Sequence, residues 1–215
     1  MKNKKIIPIA LLIIISLTVF VSAYMEQIQG DEDQITYTAS VREGWNLLNA
    51  GIYTNSLTSN SDINENDISA VFIYSPSTNQ YIRIKPNLED DKYNAEKKYY
   101  EGWTSKIHSL SAWVYVERDG MIEYTTDDII SMTERELTSG WNFVSVTENA
   151  LERSLNDLKG TCNIQKAYYY LEGYQDLDLD MDLPTDMSSQ GLLIKVTNAC
   201  QFGRSSISPP PAIPN

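Results

Sequence analysis

From residue 35 onward the chain is built of short runs in which apolar and polar residues alternate, the two-residue period of strands. Ile35-Thr36-Tyr37-Thr38-Ala39-Ser40-Val41 alternates β-branched and aromatic residues with polar ones and predicts a strand. Ala70 to Tyr74 is a continuous apolar run, Ser75 to Asn79 reads as a turn, and Gln80 to Ile84 pairs back as a hairpin. Leu110 to Val116 puts Ala112, Val114 and Val116 on one face and Trp113 and Tyr115 on the other. Lys166 to Leu171 is an aromatic strand. Between these runs, Asn55 to Asp67 has loop composition, and Asn87 to Lys98 is charged without a strand pattern, so an exposed insertion is expected there. Glu148 to Leu158 has the best helical spacing, through Ala150, Leu151, Leu155 and Leu158, with Gly160 as a stop signal, and Asn64 to Ile68 can hold one helical turn.

The pattern occurs twice. Val41-Arg42-Glu43-Gly44-Trp45-Asn46-Leu47-Leu48 returns as Leu137-Thr138-Ser139-Gly140-Trp141-Asn142-Phe143-Val144. Ala70 to Tyr74 stands against Ala167 and its tyrosines, and Ser109 to Val116 against Ser189 to Val196. An internal duplication sets the architecture. We expect a mainly β to α+β fold of two tandem, pseudo-symmetric β-rich repeats, 34–118 and 121–203, with at most one short helix each. Gly44 and Gly140 precede apolar runs, where a chain turning into a strand often needs positive φ. Asn46 and Asn142 can bond nearby backbone, and Trp45 and Trp141 can cover small cores, so both indoles are expected to be mostly buried. The alternative for the same residues is a ligand platform.

The repeated Gly-Trp-Asn, with the aromatic strand and the closing Gly191-Leu192-Leu193-Ile194-Lys195-Val196, resembles modules in secreted and cell-surface proteins of archaea and bacteria. The first copy departs at its end, closing with Ala112-Trp113-Val114-Tyr115-Val116 and lacking cysteines. The resemblance implies a secreted, non-catalytic surface module and carries no ligand residues with it.

Residues 1–23 read as a signal peptide or an N-terminal anchor: Lys2, Lys4 and Lys5, an apolar run from Ile6 to Val21, and small residues at Val21-Ser22-Ala23. Either reading places the body outside the cytoplasm, with membrane contact only through an uncleaved segment. Residues 24–33 are a polar lead-in, and 204–215 form a tail with Pro209, Pro210, Pro211 and Pro214. Such a tail favours an extended conformation and suits either an aromatic groove or a linker. The formal net charge of −12 argues against nucleic acid and anionic lipid, which demand basic patches. Cys162 and Cys200, the only cysteines, read as one disulfide in an exported body.

Candidate chemistry is sparse. One histidine, His108, leaves no scope for a Ser-His-acid site, and no phosphate-binding glycine loop or metal spacing of His and Cys is present. No cofactor is expected. Asp176, Asp178, Asp180 and Asp182 alternate with apolar residues; as a strand they would line one face, either as weak Ca²⁺ ligands or as a charged, water-facing edge. An EF-hand starting at Asp176 would need Gly at Met181 and Glu at Met187. Trp103, Trp113 and Tyr115 are the candidate ligand surface. Three functions follow in order: a non-catalytic interaction module for an extracellular or envelope protein, a carbohydrate-binding module using exposed aromatics, and a glycan hydrolase resting only on abundant carboxylates.

Overall fold

A computed structural model of the 215-residue chain describes residues 35–53, 57–75, 78–99, 110–126 and 131–203. The export segment 1–23, the lead-in 24–33, the tail 204–215, Trp103 and His108 lie outside the described residues. The alternating runs form the strands β1 (Ile35–Val41), β2 (Gly44–Asn49), β3 (Ile68–Ser75), β4 (Gln80–Lys85), β5 (Ser111–Val116) and β6 (Gly120–Thr126). The second half follows with β7 (Glu136–Leu137), β8 (Gly140–Ser145), β9 (Ile164–Tyr170), β10 (Tyr174–Asp176), β11 (Gly191–Val196) and β12 (Cys200–Gln201). Among the described residues two short α-helices accompany them, α1 (Asp90–Tyr99) and α2 (Leu155–Leu158). The fold is mainly β.

Both halves share one topology. The first four-stranded antiparallel sheet runs β2-β5-β3-β4 and the second β8-β11-β9-β10, with each strand in the place of its repeat partner. Gly44 pairs with Val116 and Trp45 with Tyr115, as Gly140 pairs with Val196 and Trp141 with Lys195. A two-stranded ribbon flanks each sheet, β1 with β6 and β7 with β12. β6 falls in the stretch expected to open the second repeat at residue 121, yet it pairs with the leading strand of the first.

Period two divides each sheet into an inner and an outer face. Ala112, Val114 and Val116 are fully buried, while Trp113 and Tyr115 on the opposite side are half-buried. In the second repeat Leu192, Ile194 and Val196 join Val144, Ala167, Leu155 and Phe202 in one apolar cluster. The remaining faces meet: β11 lies against β2 as β5 lies against β8, and β2 also touches β8 as β5 touches β11. That reciprocity is the signature of a two-fold arrangement. Leu47, Phe143 and Leu193 fill the seam. Asn49 N donates to Ser189 O at 2.8 Å, and Ser145 Oγ to Leu110 O at 2.8 Å, tying the repeats together. Gly191 permits the approach, since a Cβ there would sit 2.5 Å from Leu47 Cγ and 2.7 Å from Ser111 Cβ. The described residues from Thr36 onward make one compact unit.

One sequence expectation fails for a tertiary reason. The helix expected over Glu148 to Leu158 splits into a 3₁₀ turn at Glu148–Ala150 and the single turn of α2. Between them Leu151 is extended, Glu152 has φ of 57°, and Glu152 N donates to Leu183 O while Leu183 N donates to Arg153 O. Backbone pairing with a distant loop outweighs local helical spacing. The charged stretch expected as an exposed insertion forms the helix α1, whose described side chains are mostly exposed.

Tyr37 and Tyr124 stack at 5.5 Å between centroids, and both are buried. Burial, and then the charge of Glu148, push Tyr37 up to about 12. Burial, and then Tyr37, raise Tyr124 as well. Both folded values exceed the ordinary 10.0, so the unfolded chain loses these protons first. Their stabilising contribution is full below pH 10 and fades as the pH rises through about 12. The urea midpoint is expected to fall across that window, and Tyr37→Phe should flatten the fall. A midpoint equally steep in the variant would exclude Tyr37 as a cause.

Candidate functional site

The site begins with the repeated turn. Gly44 and Gly140 adopt φ of 100° and 99°, a region L side chains rarely enter. Asn46 Nδ2 then donates to Arg42 O at 2.8 Å and Gly44 O at 3.1 Å, while Arg42 N donates to Asn46 Oδ1 at 3.1 Å. Asn142 repeats this clamp with Thr138 O at 2.8 Å, Gly140 O at 3.1 Å and Thr138 N at 2.9 Å. With Asn turned toward its own repeat's core, alternation sends the preceding Trp to the opposite face. Asn142 is 2% exposed, so Asn142→Ala leaves buried backbone groups unpaired. A loss of about 2 kcal/mol is expected in urea unfolding; a change under a few tenths would show that the clamp is ornamental.

Because of that alternation, the indoles are less covered than expected. Trp45 is 41% exposed and Trp141 half-buried. Trp45 meets Trp113 at 6.4 Å and Tyr115 at 5.2 Å, both edge-on, and Phe72 at 5.9 Å. Trp141 rests against Tyr168 at 5.8 Å, with the Lys195 ammonium 5.6 Å from its ring centre, where the first repeat has Tyr115. Across the seam, Trp113 contacts Tyr170 at 4.7 Å and Tyr174 at 6.1 Å, and Tyr74 contacts Phe143 at 4.9 Å.

Where the sheets splay, these rings enclose a cleft of about 370 Å³ lined by Trp45, Phe72, Tyr81, Trp113, Tyr170 and Tyr174. The first four come from β2, β3, β4 and β5, and the last two from β9 and β10, so neither repeat makes the cleft alone. Tyr81 and Tyr174 are about half exposed. Partial burial, then the neighbouring Tyr81 and Tyr170, raise the Tyr174 hydroxyl, which keeps it a neutral donor at physiological pH. An adjoining hollow of about 440 Å³ shares Trp45 and Tyr170 and adds Asn46, Gln190, Glu172 and Asp186. Arg42 and Glu172 form an exposed ion pair at its edge. Volume, aromatic walls and a polar neighbour suit a non-covalent ligand.

Of the sequence-derived surface, Trp113 lies in the cleft and Tyr115 packs edge-on against Trp45; Trp103 is outside the described residues. Phe72, Tyr81, Tyr170 and Tyr174 were not anticipated. Their signal is a second apolar face on strands whose first face already fills a core. The expected acidic strand ends at Asp176, and the rest of the run turns, with Leu177 and Leu183 buried. Asp178 Oδ1 accepts from Asp180 N at 3.0 Å and Asp180 Oδ1 from Asn156 Nδ2 at 2.6 Å. These carboxylates do not converge: among the described residues no group of three or more His, Cys, Asp or Glu side chains could hold a metal ion.

Cys162 and Cys200 form a disulfide with a Cα separation of 5.1 Å, fastening the approach to β9 onto β12. The bond is compatible with an extracytoplasmic location. Among the described residues, no helix is long and apolar enough to cross a membrane. No family model, curated protein or solved structure matches the chain.

Proposed function

We propose that the chain is an exported, non-catalytic interaction module of the cell surface, acting in protein–protein or envelope assembly through the aromatic cleft between its repeats. The observation that carries this reading is the convergence of six aromatic side chains from both repeats on one solvent-open cleft. Large rings supply contact area at low entropic cost, and such anchors dominate protein interfaces. The disulfide, the acidic body and the apolar leader agree with export.

A pull-down from envelope extract, run beside a glycan array, tests it. Tyr174→Ala removes an exposed cleft wall, and Trp113→Ala a deeper one. Either should weaken partner retention about tenfold or more; retention unchanged in both would remove the cleft from the function. Carbohydrate binding is the second reading. The hollow beside the cleft favours it, since Gln190, Glu172 and Asp186 can bond hydroxyls next to the exposed Trp45 ring. Glycan signal lost in the same variants would establish that reading over the first.

A further inference from the structure

The cleft's chemistry narrows its occupant. Among the described residues its walls are six aromatic residues, whose side-chain polar groups are tyrosine hydroxyls and indole N–H groups. A sugar seated wholly inside would give up water at most of its hydroxyls for few new partners. A proline-rich strand matches better. Its rings pack flat on aromatic faces, and proline has no N–H to leave unpaired. Its extended backbone makes no internal hydrogen bonds, so its carbonyls are free to accept from the hydroxyls and indoles.

Such a strand exists in this chain. Residues 204–215 read Arg-Ser-Ser-Ile-Ser-Pro-Pro-Pro-Ala-Ile-Pro-Asn, with Pro211 and Pro214 three apart, one turn of the polyproline II helix. The segment carries Arg204 and no acidic side chain, whereas the whole chain has a formal charge of −12. The hollow beside the cleft holds Glu43, Glu172 and Asp186, with Arg42 drawn to Glu172. Arg204 therefore suits the hollow when the prolines occupy the cleft. The point of departure decides whose tail enters. Phe202 is buried in the second repeat's core cluster, and Gly203 N donates to Leu158 O at 2.7 Å. That cluster fills the face of the β8–β11 sheet opposite the seam, so the last described residues are anchored in a different layer from the cleft.

We propose that the aromatic cleft receives the proline-rich tail, residues 204–215, of a second copy of this chain. The contact is head-to-tail, so it links copies into a ring where the rotation between them closes and into an open string where it does not. The proposal rests on the cleft being the contact site and names the partner within that reading.

Complementation between two full-length variants tests it. One has Pro209, Pro210, Pro211 and Pro214 replaced by alanine, leaving its cleft intact. The other carries Tyr174→Ala, with its tail intact; Tyr174 is 51% exposed, so this variant keeps its core. Sedimentation should show the natural chain gaining mass with concentration. Each variant alone should associate at least tenfold more weakly, and mixing the two should restore one heterodimer and no longer string. In the tail variant labelled with ¹⁵N, the Trp45 and Trp113 indole signals should move on adding the cleft variant, and the Trp141 signal should stay. Association that survives both substitutions, mixing that restores nothing, or indole shifts independent of concentration would each overturn the proposal. An envelope partner still captured through Tyr174 and Trp113 would then leave the cleft as the contact site with a different occupant.

Discussion

Truncating Phe143 to alanine is expected to lower stability by about 3–5 kcal/mol, the cost of removing a buried aromatic ring and leaving a cavity. Phe143 is 5% exposed and sits in the seam with Leu47 and Leu193. Its ring lies 4.9 Å from Tyr74 and 6.1 Å from Tyr81, both from the first repeat. The void therefore opens between sheets, where neither repeat can collapse onto it without the other moving. Urea unfolding measures the loss, with Leu171→Ala as control, since Leu171 is 48% exposed and should cost under about 0.5 kcal/mol. Binding should suffer as well, because Tyr81 forms a wall of the cleft. A loss below about 1 kcal/mol would mean that the repeats do not depend on this seam.

The Cys162→Ser, Cys200→Ser double variant should lose about 4 kcal/mol in the chain-entropy account, given a sequence separation of 38. For a domain of this size the melting temperature would drop by roughly 8–16 °C. The loss should concentrate in the second repeat. There Phe202 is buried in the core next to β12, and the bond is what fixes β12 to the approach of β9. Hydrogen exchange should accelerate in β7, β9 and β12 before β2 and β5. Uniform acceleration across both repeats would show that the halves unfold as one.

What the sequence disclosed was local or repeated. The Gly-Trp-Asn turns depend on residues within five positions of one another, and the clamps at Asn46 and Asn142 follow from that spacing. Two cysteines allow one pairing. Ala112, Val114 and Val116 announce their face by alternation. What stayed hidden depends on distant partners. Residues 151–154 have helical spacing, but backbone bonds to Leu183 and a bridge to Asp182 hold them out of a continuous helix. The Trp indoles read as core covers because one strand seen alone has one obvious apolar side. Alternation turns them instead to the sheet's other face, where the second sheet brings Tyr170 and Tyr174 from β9 and β10 to Trp113 and leaves Trp45 41% exposed. The clue lay in strands with aromatic residues on both faces, which ask for two neighbours.

Gly191 and Ser111 occupy the same position in the two copies, one paired with Ser145 and the other with Asn49. They also face each other across the seam, where a Cβ on Gly191 would meet Ser111 Cβ at 2.7 Å. An assembly of identical copies must set the same residue on both sides of its axis. Two serines would collide here, and two glycines would leave space unfilled. Joining the copies in one polypeptide frees each side to mutate independently, and the halves have become lock and key. Neither half is now a substitute for the other: Gly191→Ser should disrupt the seam, and adding Ser111→Gly should recover only part of the loss, because it relieves the 2.7 Å contact and leaves the 2.5 Å approach to Leu47 Cγ. Gene duplication here supplied something a homodimer lacks, a licence for asymmetry at the point of closest approach.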